Sequence, residues 1–146
     1  MERSLYCNQC RVRLTSSLTI VSGRYPSIVR PEIELRRPLM KTGLAFKSWE
    51  PMFWISAGWD HGLDFVPQYW LNPDDMADTV RDPVGKRGLG GCCGPTGLDG
   101  PNQACGRCQA LVGTLQDDCS TPRVFIPDLK TTTWVEGAGD YWDYPA

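Results

Sequence analysis

The chain of 146 residues contains a single histidine, His61, and that scarcity removes much of the chemistry a protein of this size could run. A multi-histidine metal centre is excluded, and any catalytic pair that needs an imidazole must use His61 or be absent. Long apolar runs are missing as well. No stretch approaches the roughly 18 consecutive apolar residues of a membrane span, and Met1-Glu-Arg-Ser-Leu-Tyr-Cys lacks the apolar core of a secretory signal, so a soluble, cytoplasmic protein is expected. Charge of one sign is not in excess either: 15 Lys and Arg against 17 Asp and Glu leave a net charge of −2, which argues against attraction of the whole molecule to nucleic acid or anionic membrane. There is no Gly-x-Ser-x-Gly elbow, and Gly85-Lys86-Arg87-Gly88 lacks the Gly-Lys-Ser/Thr order of a phosphate loop.

Cysteine, by contrast, is abundant. Seven thiols (Cys7, Cys10, Cys92, Cys93, Cys105, Cys108 and Cys119) in a reducing compartment point to metal binding rather than to a disulfide framework, which an odd count could not close. Spacing carries more information than number. Cys7-Asn-Gln-Cys10 and Cys105-Gly-Arg-Cys108 share the two-residue gap with which a tight turn aims two sulfurs at one ion, and each runs on into apolar, strand-like sequence. These two turns resemble the knuckles of a zinc ribbon. Facing each other, they would supply Cys7, Cys10, Cys105 and Cys108 to one tetrahedral zinc, with iron in a rubredoxin-like site left open by spacing alone. The 94 residues between Cys10 and Cys105 form an unusually long insertion for a ribbon. Loop closure nevertheless costs only about 0.6 kcal/mol per doubling of length, against roughly ten or more contributed by a structural zinc.

The other three cysteines have no such pairing. Cys92 and Cys93 begin the Gly- and Pro-rich run Cys92-Cys93-Gly-Pro-Thr-Gly-Leu-Asp-Gly-Pro-Asn102, and they could replace a member of the first set or join Cys119 and His61 in a second site. This run, followed by Cys105-Gly-Arg-Cys108, Val112-Gly-Thr114 and Asp118-Cys119, is similar to the C-terminal signature of a group of uncharacterised bacterial zinc-ribbon-like proteins. The similarity covers mostly residues 90–121, its most specific piece being Gly-x-Asp-Gly-Pro-Asn. It implies a shared fold and no activity.

Elsewhere the pattern is that of a mainly β protein with one short helix. Val12–Val21 and Ile28–Arg36 read as strands, as do Arg123–Ile126 and Thr131–Val135. Prolines at 26, 31, 38 and 51 exclude long helices, whereas Asn72-Pro73-Asp74-Asp75 offers a cap, a proline for the first helical position and acidic residues for a helix reaching to Val80. Trp49, Phe53, Trp54, Trp59, Phe65, Tyr69 and Trp70 form the densest aromatic stretch, expected in the core. The whole chain, 1–146, reads as one zinc-stabilised domain, with 136–146 an acidic tail that is free to fray or to dock through Tyr141, Trp142 and Tyr144.

Function follows from these exclusions. A non-catalytic module that binds a protein partner is the favoured expectation. The alternative is a nucleic-acid-associated zinc ribbon using the basic first third, residues 1–50, whose net charge is +5. A cysteine-dependent enzyme, with Cys92 or Cys93 as nucleophile beside His61 and with Asp60 or Asp64 orienting the imidazole, ranks third. A thioredoxin-like couple is set aside because neither Cys-x-x-Cys opens a helical pattern.

Overall fold

The structure, a computed structural model, describes residues 2–52, 63, 65–85, 92–97 and 100–136. Among the described residues nine strands follow in chain order: β1 (Glu2–Cys7), β2 (Leu18–Ser22), β3 (Leu44–Ser48), β4 (Gln68–Leu71), β5 (Val80–Arg81), β6 (Gln103–Cys105), β7 (Leu111–Gln116), β8 (Val124–Pro127) and β9 (Thr132–Glu136). They form one sheet in the order β5-β6-β7-β8-β4-β3-β2-β1-β9. Neighbours are antiparallel except β2 and β3, which run parallel from Thr19↔Leu44 to Ser22↔Lys47. No helix among the described residues is long and apolar enough to cross a membrane.

The middle of this sheet is buried on both faces, and the alternation of side chains shows it. Ala45, Tyr69, Leu71 and Phe125 point into one apolar cluster with Leu5, Leu14, Leu18 and Val112. Their chain neighbours Phe46, Trp70, Val124 and Ile126 point into a second, with Leu39, Met40, Met52 and Leu63. Trp70 is fully buried and lies 5.2 Å, centroid to centroid, from Phe46. Its indole N–H donates to Gln68 Oε1 (2.9 Å), and the same buried amide donates to the carbonyls of Leu63 (3.0 Å) and Phe65 (3.1 Å). Gln68 thereby satisfies its own polar atoms while fixing the chain that packs over the second face.

Several expectations change. The helix expected over residues 72–80 is only a 3-10 turn, Pro73–Asp75. Asn72 caps it as anticipated, its side chain accepting the Asp74 N–H at 2.8 Å, but Met76 is extended and bridges to Thr15. Strand-like pairing with residues 14–15, including Ala77 N–H to the Leu14 carbonyl at 2.8 Å, wins over a local helix that has no apolar stripe to bury. Residues 28–36 form no strand. Pro31 removes a donor and Arg36 turns left-handed at φ 67°, so this segment lies as a loop whose Ile28 and Ile33 pack on the second cluster. The strand expected over residues 12–21 keeps only its second half, as β2, with Arg13 and Thr15 in isolated bridges. Phe53, Trp54, Trp59, His61 and the tail aromatics lie outside the described residues. Of the other aromatics in the expected core, Trp70 and Tyr69 are buried, Trp49 is half-buried and Phe65 is exposed.

In the β7–β8 pair, Gly113 leaves no room for a side chain: an added Cβ would lie 2.4 Å from Phe125 Cζ and 2.7 Å from the Ile126 carbonyl. Phe125 is buried and Ile126 contributes backbone, so neither can yield easily. Gly113→Ala is expected to cost about 1–3 kcal/mol in chemical denaturation, as overpacking of a dense core does. An unchanged midpoint would show that the ring can move aside.

Candidate metal centre

The two Cys-x-x-Cys turns have the same construction. In the first, the Cys7 N–H donates to the Val12 carbonyl (3.0 Å) and the Arg11 N–H to the Cys7 carbonyl (2.9 Å), with Arg11 left-handed at φ 64°. In the second, the Cys105 N–H donates to the Ala110 carbonyl (2.8 Å) and the Gln109 N–H to the Cys105 carbonyl (2.8 Å), with Gln109 left-handed at φ 67°. The correspondence extends to the sulfurs, since the Val12 amide donates to the Cys10 thiol and the Ala110 amide to the Cys108 thiol. Two turns 98 positions apart have converged on one geometry because a turn that aims two sulfurs and several amides at one point admits few backbone solutions.

The turns also meet. Cys7 Sγ lies 3.5 Å from Cys108 Sγ, Cys10 Sγ lies 3.5 Å from Cys105 Sγ, and all four sulfurs fall within 4.8 Å of one another. A tetrahedron of sulfurs around zinc at 2.3 Å has edges of about 3.8 Å, so the four could hold a metal ion of that kind. Cys7, Cys10 and Cys105 are buried and Cys108 half-buried, continuous with the cluster of Leu5, Leu14 and Leu18. Burial pushes the Cys10 thiol up to about 12 and raises Cys108 as well. Burial also works to raise Cys105, but hydrogen bonds from the amides of Cys108 and Arg107 and from the Cys10 and Cys108 thiols together leave that thiol below its ordinary value. The quartet without a cation therefore resists gathering negative charge, and a divalent ion reverses that balance.

A second group gathers Cys92, Cys93 and Cys119 with Asp118, ligand atoms again within 4.8 Å of one another, and it too could hold a metal ion. Cys92 Sγ stands 3.4 Å from Cys93 Sγ and 3.2 Å from Cys119 Sγ. The three sulfurs lie near the far end of β7 from the knuckle. Cys108 precedes this six-residue strand and Asp118 follows it, which separates the groups by about 17 Å of extended chain. Cys92 and Cys93 therefore do not substitute in the first quartet. His61, the other expected member of a second site, lies outside the described residues. Asp118 is the member that spacing passes over, although it stands directly before Cys119. Hydrogen bonds, first from Ser120 and then from the Cys93 amide, hold its carboxyl down to about 2.

The Gly-x-Asp-Gly-Pro-Asn run ends in a structural role. Buried Asn102 donates through Nδ2 to the Leu115 carbonyl (3.0 Å) and accepts the Leu115 N–H at Oδ1 (2.7 Å), continuing the ladder where the β6–β7 register shifts. In comparisons with known proteins, the chain matches no family model, no curated protein and no solved structure.

Left-handed backbone at Arg11 and Gln109 costs an ordinary residue about 1–2 kcal/mol and costs glycine little. Arg11→Gly and Gln109→Gly are expected to hold or raise the thermal midpoint, whereas valine at either position lowers stability by about 1–2 kcal/mol. Equal behaviour of glycine and valine would show that the turns do not depend on this conformation.

Proposed function

We propose that this is a zinc protein in which Cys7, Cys10, Cys105 and Cys108 hold one structural ion, and that it acts by binding a protein partner rather than by catalysis. The observation that carries the first part is the convergence of two matching turns from distant parts of the chain on a four-sulfur quartet. Four thiolates suit zinc or iron. Zinc is favoured because a closed, half-to-fully buried quartet with amides aimed at the sulfurs needs no redox change to serve as a clasp. Bound there, zinc would supply cross-linking energy of about 10 kcal/mol or more. In this reading the turns are zinc-ribbon knuckles, and the chain between them is an insertion that builds β2 to β5.

A partner-binding role is supported by apolar side chains left outside the core. Tyr25, Val29 and Leu35 stand exposed on the loop between β2 and β3, Val29 at 86%. Bare basic surface of the kind nucleic acid needs is reduced by contacts within the chain. Arg3 pairs with Glu136 (2.7 Å) and Arg30 with Glu50 (3.0 Å), while the Arg24 guanidinium lies 3.6 Å from the Trp49 ring centroid. These contacts favour a protein over a nucleic acid as partner.

Elemental analysis should find zinc that survives brief exposure to a chelator, in colourless protein. Cys10→Ser or Cys105→Ser should release that ion and abolish cooperative unfolding. A metal-free wild-type protein that melts at the same temperature as the zinc-loaded one would sink the structural reading, and a red protein containing iron would replace the metal.

A further inference from the structure

We infer that Cys92, Cys93 and Cys119 form a second metal site, open to solvent, which takes a thiophilic divalent ion such as zinc through three thiolates and leaves its fourth position to an exchangeable small ligand. The inference concerns residues separate from the buried quartet and does not depend on it.

The first support is that the group is built into the fold. The segment carrying Cys92 and Cys93 is laid onto the turn after β7 by three features. Cys93 N–H donates to Asp118 Oδ1 at 2.9 Å, and Asp117 N–H donates to the Pro95 carbonyl at 2.9 Å. Between them Gly94 passes so close that an added Cβ would lie 2.2 Å from the Asp117 carbonyl oxygen, a distance no side chain tolerates. On the other side the turn is closed on itself, with Asp118 N–H donating to Thr121 Oγ1 (3.0 Å) and Ser120 Oγ donating to Asp118 Oδ2 (2.6 Å). The sulfurs therefore meet because two segments are fastened together, not because two mobile loops happen to touch.

The second support is the use made of Asp118. Its carboxylate is buried, and both oxygens already accept hydrogen bonds, one from each of the two segments that supply sulfurs. It is a positioning residue for Cys93 and Cys119, in the way that outer carboxylates orient metal ligands, and the fourth position is left to solvent. Cys92 and Cys93 are exposed and Cys119 is half-buried, so water or a small donor can reach an ion held there. Three thiolates and a divalent cation carry one net negative charge. Arg36 stands beside it, its amide donating to the Thr121 carbonyl at 2.8 Å and its side chain to the Cys119 sulfur. Closed four-ligand zinc sites are structural, and sites with three protein ligands and one open position exchange ligands and can do chemistry.

The test uses the full-length protein, reduced and reconstituted with zinc. About two ions per chain are expected, one of them removed by brief chelation while the other remains. Cys92→Ser/Cys119→Ser should lose only the labile ion, with little change in melting temperature. Asp118→Ala should weaken that ion by about tenfold to a hundredfold without affecting the other. Refilling the labile position with cobalt(II) should give thiolate charge-transfer bands, and adding imidazole should shift the ligand-field bands. A wild-type protein with no ion removed by brief chelation, retention of the labile ion in the double variant, or formation of a Cys92–Cys119 disulfide in place of metal uptake would overturn the site. Ligand-field bands indifferent to imidazole would overturn the open fourth position.

Discussion

The meeting of the two Cys-x-x-Cys turns is the constraint around which the rest of the chain is arranged. β1 and β6 stand six steps apart in the sheet, which in a flat sheet would separate them by about 29 Å, yet the sulfurs at and just beyond their ends are in contact. The sheet must therefore curl back on itself, and the pairings show how. From β1 the bridge Tyr6↔Arg13 leads to Thr15↔Met76, and from there Val80↔Cys105 leads into β6, so the ladder returns to its beginning through residues that belong to no long strand. Gly106 completes the closure by donating its N–H to the Thr79 carbonyl. Short, irregular links of this kind bury little area each, and a metal ion held between the two Cys-x-x-Cys turns would be the strongest means of holding the curl shut.

Both faces of the curled sheet are covered, each by one of the two apolar clusters. One cluster gathers Leu5, Leu14, Leu18, Leu71 and Val112 with Tyr69 and Phe125, and the cysteines lie among them. The other holds the pair Phe46 and Trp70 and is covered by connecting segments through Ile28, Ile33, Leu39 and Met40. Long connections are thus part of the core. The insertion between the knuckles supplies the strands that make the curl and the loops that cover its back.

What could be read in the sequence was local. Each Cys-x-x-Cys turn is complete within six residues, so its spacing is visible, and β8 and β9 lie between prolines and turns that mark their ends. What could not be read depended on distant pairing. β3 and β4 do not advertise themselves: in Gln68-Tyr69-Trp70-Leu71 every residue is buried, so the alternation that marks a half-exposed strand is absent. The helix after Asn72 was suggested by a genuine cap, but a cap starts a helix without deciding its length, and the pairing of Met76 and Ala77 with residues 14–15 ended it. Asp118 is not legible in the sequence because a carboxylate that accepts hydrogen bonds from its own turn looks there like any other acidic turn residue. Its importance comes from Cys93, 25 positions away, whose amide it holds.

The two cysteine groups have the same ligand chemistry and opposite surroundings, and this difference decides what each can do. Around the quartet, sulfurs lie among leucines and accept backbone amides, so departure of an ion would leave buried thiols with few alternatives to one another. Around Cys92, Cys93 and Cys119, water can replace a departing ligand at once, so an ion there can come and go while the fold stays intact. β7 links the two, beginning three residues after Cys108 and ending two before Asp118, and its centre is pinned by Gly113 against Phe125. A strand held that tightly keeps the groups apart and prevents their ligands from mixing. Were both groups to hold ions, an exchange at the exposed end could proceed without loosening the clasp at the buried end.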